Sequence, residues 1–346
     1  EHVVFQKALG SLKDKGERVA SLASAYASAF ATDPESAQRA AQLARADLLT
    51  EMVGEFPDLQ GIMGRYYAQE DGEPNAVANA LDEVYQPRFA GDQIAQSPLG
   101  QLLAVVERAD TLIGIFAIGK APSGAKDPFG LRRAAVGLLR TLIEGQHSID
   151  LTALLKHAAS TQPAALNADT HVESLVEFCI ERLRGLYLDA GFSAETFEAV
   201  RSVFNTATFD PLDFDRRLHA CRDFADLPAA GSLASANKRI RNILRKAPSQ
   251  DDRIVDTARL EAEAEINLHQ AIEKRSQPVQ TLIEQAAYSE ALSQLAELRE
   301  PVDAFFDEVM VMSDEQALQN NRLALLSQLQ QLFLAIADVS ALPESH

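Results

Sequence analysis

Apolar residues recur at the spacing of an amphipathic helix in most segments of this sequence, and strict alternation of apolar and polar residues nowhere extends beyond four positions. The segment Asn320–Ala337 carries its apolar stripe at Leu323, Leu326, Leu329, Phe333 and Ile336. Aromatic residues make up only 6% of the chain and Trp is absent, which favours helices over sheets. The sequence therefore predicts an all-α fold.

The length of 346 residues allows two or three domains. Near Gly145–Pro163 the sequence changes to scattered polar residues and short apolar stretches, which predicts a domain boundary there. No apolar run approaches the roughly 20 residues that a membrane-spanning helix needs. Cys179 and Cys221 stand far apart without a CxxC motif, which argues against a disulfide framework and a structural zinc site and agrees with a reducing cytoplasm. Glu1–Phe5 contains neither an initiator Met nor a signal-peptide pattern, so we expect a longer parent chain.

The segment Asn237–Lys246 carries five basic residues and no acidic one, in a chain whose formal net charge is −18. Read as a helix, it directs one apolar stripe, Ile240, Ile243 and Leu244, toward a core and turns its basic residues toward solvent. One interpretation is a surface for a phosphate backbone. The other is a solvated helix paired with the acidic run Asp251–Glu265, and the residues alone leave both interpretations open.

No arrangement of residues typical of a catalytic or metal site occurs in the sequence. None of the seven histidines stands beside an Asp or within three or four positions of another His. Asp47 and Asp110 lie within apolar segments, and they are interpreted either as metal ligands or as partners in helix capping or in a salt bridge with Arg45 or Arg108. The loop Gly119–Lys126 lacks the GxxxxGK[ST] order of a phosphate-binding loop. We therefore expect no catalytic residue and no metal ion.

Seven blocks of sequence are distinctive, several of them eight residues or longer: Ala46–Ala68, Tyr85–Asp92, Ala109–Phe116, Lys126–Ala135, Asn237–Leu244, Pro301–Met312 and Asn321–Leu326. Together they resemble the beta subunit of bacterial, heterotetrameric glycyl-tRNA synthetase, and the resemblance extends over essentially the whole chain. It corresponds to the C-terminal half of that subunit. Within the first block, Gly61 and Gly64 stand three residues apart, which we interpret as permitting close helix packing.

The resemblance implies three parts: an HD-like helical domain in residues 1–150, a helical linker in 151–235, and a DALR-like anticodon-binding helical bundle in 236–346. HD-type phosphohydrolases use a His…His-Asp…Asp metal set, and Asp47 and Asp110 resemble relics of its two aspartates. Ala46 stands where the paired His would be, which argues against hydrolase activity. Gly130 departs from the family pattern, which has Ala, and we interpret it as slightly weakening a helix.

The family resemblance also implies a function. In that family two alpha subunits carry the aminoacylation site and use ATP and Mg, whereas two beta subunits recognise tRNA. We therefore expect a cytoplasmic fragment without catalytic residues or a cofactor, which binds tRNA(Gly) through its anticodon and positions it for the alpha subunit. Two alternatives remain: an HD-family metal-dependent phosphohydrolase with a helical accessory domain, and an acidic helical scaffold for a protein partner.

The expected RNA contacts lie on the basic segment and at the start of the last helix. The basic side chains of Asn237–Lys246 supply charge for phosphates, and the two Asn side chains of that segment offer groups for base edges. The candidate RNA-binding residues are Asn237, Lys238, Arg239, Arg241, Asn242, Arg245, Lys246, Asn321 and Arg322. A second set, for contact with a tRNA arm or the alpha subunit, is Arg88, Arg132 and Arg133.

Overall fold

The computed structural model of the chain describes residues 3–247 and 254–342. Its internal contacts divide the chain into two compact units. The first unit comprises Glu1–Leu186 with Thr206–Leu212, and the second comprises Tyr187–Asn205 with Asp213–His346. The boundary predicted near residue 150 falls inside the first unit, where the helix that follows it packs on the same central helix as those before it.

The first unit consists of helices, short 3-10 turns and one small antiparallel pair of strands, β1 (Val4–Gln6) and β2 (Gly10–Ser11). In chain order the helices are α1 (Leu12–Tyr26), α2 (Pro34–Leu43), α3 (Glu51–Glu55), α4 (Ile62–Glu70), α5 (Asn75–Glu83), α6 (Pro98–Ala117), α7 (Leu131–Glu144) and α8 (Leu151–Ser160). The 3-10 turns are Ala27–Phe30, Ala46–Leu49, Pro57–Leu59, Ala164–Leu166 and Ala168–His171.

The remaining described chain is helical too, so the predicted all-α fold is confirmed. Its helices are α9 (Val172–Asp189), α10 (Ala194–Arg201), α11 (Pro211–Ala225), α12 (Ala230–Lys246), α13 (Glu263–Glu284), α14 (Tyr288–Ala296), α15 (Arg299–Glu308) and α16 (Gln316–Leu334). Two 3-10 turns, Thr257–Arg259 and Val339–Ala341, complete it. Within residues 3–247 and 254–342, none of the helices combines the length and the apolar character that crossing a membrane would require.

Helix α6 is the centre of the first unit. It begins with Ser97 as its N-cap, whose hydroxyl accepts a hydrogen bond from Gly100 N, and with Pro98 in the first turn, where a missing N–H costs nothing. Helices α1, α5, α7 and α8 all pack against it, and nearly all of its residues are buried. Three of the buried side chains are charged (Glu107, Arg108 and Asp110), and burial of a charge requires partners close by.

Gly130 does not weaken a helix, contrary to the prediction. It precedes α7 as its N-cap with φ of 64°, in the left-handed region that glycine adopts more readily than other residues. Asp127 supplies the side-chain cap instead, because its carboxylate accepts hydrogen bonds from Leu131 N and Arg132 N. The glycine therefore allows the chain to turn sharply into α7.

In the second unit, α12 packs against α15, α16 and the turn Val339–Ala341. Apolar residues of all three helices are buried, among them Leu233 and Ile240 of α12, Phe305 of α15 and Phe333 of α16. The stripe predicted for the last helix is confirmed, since all five of its residues are buried. This packing fixes which face of α12 remains toward solvent.

Candidate nucleic-acid interface

The solvent-facing side of α12 presents the predicted basic segment. Lys238, Arg239, Asn242, Arg245 and Lys246 are all exposed, and we refer to these five residues as the basic face. Their positions follow from the helical period, because Ile240 on the opposite side is fully buried and holds the helix against its neighbours. Cations in the last turn also interact favourably with the negative end of the helix dipole. The basic segment is therefore an exposed positive surface on a negatively charged chain.

An open cleft of about 490 Å³ runs along the basic face. Lys238, Arg239, Asn242 and Lys246 line it together with Met312, a largely exposed side chain from the loop before α16. The guanidinium carbon of Arg239 lies 4.3 Å from the centre of the Phe306 ring, a cation–π contact that orients the side chain. Flat guanidinium and apolar surfaces next to positive charge suit unstacked bases and the phosphates that join them.

Arg241 belongs to the predicted set but not fully to the basic face. Its Nη1 atom lies 2.9 Å from Oδ2 of Asp338, and about half of its side chain is exposed. The Arg241 partner of this pair is half exposed, so its guanidinium can exchange the carboxylate for a phosphate. Its RNA-binding role stays a prediction.

Asn237 and Asn321 are corrections to the predicted contact set, because both side chains are buried. The amide of Asn237 donates to Leu233 O at 2.9 Å, one helical turn earlier. The amide of Asn321 bonds the backbone of Asp256 twice: its Oδ1 accepts from Asp256 N at 2.7 Å and its Nδ2 donates to Asp256 O at 3.0 Å. Neither side chain is presented to a ligand at the surface, and Asn321 instead fastens the segment before α13 to α16.

Arg322 also acts mainly inside the protein. Its Nε forms an ion pair with the buried carboxylate of Glu265, and its Nη1 donates to Met310 O at 2.9 Å. Burial alone would raise the pKa of Glu265, but the Arg322 hydrogen bond and the amides of Ala262 and Glu261 lower it. Arg322 therefore positions the loop that carries Met312 at the cleft, which corrects its predicted role as a surface contact.

The second predicted set lies in the first unit, and its members differ in their surroundings. Arg88 pairs with Asp82 at 2.5 Å, and Arg132 donates to Gly124 O at 2.5 Å. Arg133 is exposed on α7. Arg88 and Arg133 line a common cleft, whereas Arg132 does not. Their contact with a tRNA arm or another subunit stays a prediction.

Asp47 and Asp110, the two aspartates compared with a metal set, are engaged by protein groups. Asp47 accepts hydrogen bonds from Gly61 N at 2.6 Å and Gly64 N at 3.2 Å, so it caps the start of α4, as the capping alternative predicts. Gly64 lets this carboxylate approach the backbone, since a Cβ atom there would lie 3.3 Å from Asp47 Oδ2. Close helix packing, predicted for these glycines, is confirmed, since a Cβ atom would lie 3.2 Å from Leu81 O at Gly61 and 3.6 Å from Leu81 Cβ at Gly64, where α4 packs on α5.

Asp110 has partners that the sequence did not suggest. Its carboxylate accepts from Lys15 Nζ at 2.9 Å, Arg18 Nε at 2.6 Å and Gln162 Nε2 at 2.8 Å, rather than pairing with Arg108. Neighbouring Glu107 pairs with Lys15 at 3.2 Å and with Arg45 at 2.5 Å. We call Lys15, Arg18, Glu107 and Asp110 the buried ion cluster. Among the described residues, no three His, Cys, Asp or Glu side chains are grouped so that they could hold a metal ion.

One sequence signal for this cluster exists in retrospect. Lys15 and Arg18 stand three positions apart on α1, and Glu107 and Asp110 stand three positions apart on α6. Residues at that spacing share a helix face, so two cations on one helix match two carboxylates on another. The match becomes informative only when α1 and α6 are known to pack together.

The lowered pKa values of the two cluster carboxyls make stability depend on pH. Burial alone would raise the pKa of Asp110, but Lys15 and Arg18 outweigh burial and the pKa is lowered. Burial also opposes ionisation of Glu107, but Arg45 and Lys15 lower its pKa well below the usual range. A carboxyl with a lowered pKa stabilises the folded chain above its unfolded pKa of about 4 and loses this contribution as the pH falls.

We therefore expect the free energy of unfolding to decrease as the pH is lowered from about 5 to about 3. Denaturant unfolding at a series of pH values measures it, and Asp110→Asn should flatten the decrease because one of the responsible carboxyls is gone. Glu144→Gln, which changes a half-exposed carboxylate paired with Arg140, serves as the control and should keep the parent slope. Equal slopes for Asp110→Asn and the parent chain would contradict the expectation.

Comparison with known proteins agrees with this geometry. A family model described as a DALR anticodon binding domain matches residues 233–340, which contain the basic face and its cleft. This part of the chain is thus a domain of the anticodon-binding class. A second model, described as glycyl-tRNA synthetase beta subunit, matches residues 1–202, more than half of the chain. The chain belongs to the glycyl-tRNA synthetase beta subunit family.

Curated relatives support the same assignment. Glycine–tRNA ligase beta subunits of Chromohalobacter salexigens and Marinobacter nauticus are each 48% identical to this chain, over 344 and 342 residues respectively. That of Coxiella burnetii is 48% identical over 341 residues. The alignments cover 98–99% of this chain but 49–50% of the relatives, so the chain spans about half the length of the curated relatives it matches.

Proposed function

We propose that this chain is the tRNA-recognition part of a glycine–tRNA ligase beta subunit. It binds tRNA(Gly), including the anticodon, and positions it for aminoacylation by the alpha subunit in an assembly of two alpha and two beta subunits. In this proposal ATP and Mg act at the alpha subunit, this chain supplies no catalytic residue, and the complex works in the cytoplasm.

The observation that carries the proposal is the exposed basic face within the segment that matches an anticodon-binding domain. The chain as a whole has a formal net charge of −18, so non-specific attraction to RNA is weak and binding depends on local positive charge. Lys238, Arg245 and Lys246 provide that charge, and Asn242 offers both a donor and an acceptor to a base edge. Anticodon loops are single-stranded, which exposes their base edges and faces to such groups.

The hydrolase alternative has no support in the structure. Ala46 stands where the paired His would be, and the carboxylates of Asp47 and Asp110 are bound by backbone amides and by Lys15 and Arg18. The scaffold alternative differs from the proposal in a measurable way, because a scaffold for a protein partner shows no salt-sensitive binding of RNA.

The test is the affinity of the chain for tRNA(Gly), and for the same tRNA with a changed anticodon, across a salt series. We expect tighter binding of the glycine anticodon. The double variant Arg245→Ala/Lys246→Ala should lower the affinity about tenfold or more and reduce the slope of log K against log salt by about 1.5–2, since two phosphate contacts are lost.

Arg222→Ala/Arg299→Ala is a matched control, because it removes two half-exposed arginines of α11 and α15 that lie outside the basic face. It should leave the affinity and the salt slope close to those of the parent chain. Binding that ignores the anticodon, or equal losses in the two double variants, would refute the proposal.

A further inference from the structure

A second cleft, in the first unit, is lined mainly by positive charge. It has a volume of about 380 Å³, within the range of small-molecule sites, and lies between the segment that follows α5, helix α6 and the start of α7. Arg45, Arg88, Arg108 and Arg133 line it from four different parts of the chain. Of the described residues that line this cleft, Glu107 alone carries a carboxylate.

The carboxylates near the cleft do not neutralise these arginines. Glu107 is shared between Arg45 at 2.5 Å and Lys15 at 3.2 Å. Asp82, the partner of Arg88 at 2.5 Å, is likewise shared with Arg65 at 3.1 Å. Among the described residues, four arginines line the cleft against a single lining carboxylate, which leaves an excess of positive charge along its wall.

Arg108 adds a buried positive charge held by dipoles. Its guanidinium donates to backbone carbonyl oxygens at 3.0–3.3 Å, those of Val84, Tyr85, Pro87 and Ala104. Burial lowers its pKa to about 10, so it remains charged at neutral pH. Carbonyl dipoles orient this group but bring no net negative charge of their own.

Two buried polar atoms at the cleft lack a hydrogen-bond partner among the described residues: Tyr85 Oη and Arg45 Nε. Two guanidinium groups lie near the Tyr85 ring, with Arg45 Cζ 5.4 Å and Arg88 Cζ 6.0 Å from its centre. Burial raises the pKa of Tyr85 to about 12, so its hydroxyl is a donor at neutral pH. Both atoms therefore carry a donor that no described group uses, and leaving such donors unpaired is costly.

We propose that this cleft binds a phosphate group, carried either by a free mononucleotide or by an RNA chain. A phosphate brings up to two negative charges and several acceptor oxygens, which match guanidinium groups and a phenol that approach from different sides. A volume of about 380 Å³ leaves room for the nucleoside attached to the phosphate. This site is separate from the basic face and does not depend on it.

The experiment is isothermal titration calorimetry of the chain with inorganic phosphate and with adenosine monophosphate at constant ionic strength. Saturable binding of adenosine monophosphate is expected. Arg133→Ala, which removes an exposed side chain, and Tyr85→Phe, which removes only the hydroxyl, should each weaken it about tenfold. Arg140→Ala is the control: this arginine also lies on α7 but pairs with Glu144 and does not line the cleft, so binding should be unchanged.

Two further arms identify the source of the phosphate and separate the two proposals. If added transfer RNA displaces adenosine monophosphate, the site takes RNA phosphates, and if both bind together, it takes a free nucleotide. The Arg245→Ala/Lys246→Ala variant should bind adenosine monophosphate as the parent does, whether or not the basic face binds RNA. Absence of saturable binding of both phosphate and adenosine monophosphate, or equal loss in Arg140→Ala and Arg133→Ala, would overturn the inference.

Discussion

Replacing Asp110 by Ala is expected to lower the free energy of unfolding by about 3–5 kcal/mol, a large part of the stability of an ordinary domain. The carboxylate is completely buried and contacts Lys15, Arg18 and Gln162. Its removal leaves Lys15 and Arg18 almost fully buried with one carboxylate fewer between them. The cost arises mainly from the stranded positive charges and only in part from the lost attraction.

Equilibrium denaturation in urea measures this effect. Glu144→Ala, which breaks the more exposed pair with Arg140, is the matched control and should cost less than about 1 kcal/mol. The triple variant Lys15→Met/Arg18→Met/Asp110→Leu should recover much of the loss, because no buried charge is then left without a partner. If Asp110→Ala is as stable as Glu144→Ala, the buried ion cluster does not contribute the stability inferred from its burial.

Gly61→Ala is expected to destabilise the chain by about 2–4 kcal/mol, through a steric conflict added to backbone strain. Gly61 has φ of 81° where it caps α4, and a Cβ atom there would lie 2.6 Å from the Tyr85 ring. The ring cannot withdraw easily, because Arg45 and Arg88 flank it. The new methyl group therefore displaces either the Tyr85 ring or the backbone amide of residue 61, whose hydrogen bond Asp47 accepts.

Gly72→Ala separates the two contributions. Gly72 has nearly the same φ, 80°, but nothing lies within 4 Å of an added Cβ atom. This control incurs backbone strain without a steric conflict, about 1 kcal/mol, so a clearly larger loss for Gly61→Ala in urea denaturation reports the conflict with Tyr85. Equal losses would mean that the ring moves aside without cost.

The sequence was sufficient for the fold class and for the position of the positive surface. The period of 3.6 residues is local information, so it correctly separates buried Ile240 from exposed Arg245 on α12 and identifies the buried stripe of α16. The rest of the stripe predicted for α12 is only partly buried, and Ile243 lines the cleft. The same period places Asn237 on the side of Ile240, and the structure confirms that it is buried. Polarity alone had suggested the opposite, which shows that position on the helix outweighs residue type.

Long-range partners could not be derived in this way. Asp110 and Lys15 are 95 residues apart, and Asn321 bonds a backbone segment 65 residues away. Arg322 was placed on the surface by its charge, although a buried carboxylate on α13 holds it in place. Such pairings depend on which helices become neighbours, and no local pattern in the chain encodes that information by itself.

The buried ion cluster has a consequence for how this family can change over evolutionary time. Any single substitution among Lys15, Arg18, Glu107 and Asp110 leaves at least one buried charge with one partner fewer. A lineage can exchange these residues only together, or after other sites have made the fold stable enough to tolerate the intermediate. The four positions therefore form one heritable unit, although they lie on two helices that are far apart in the sequence.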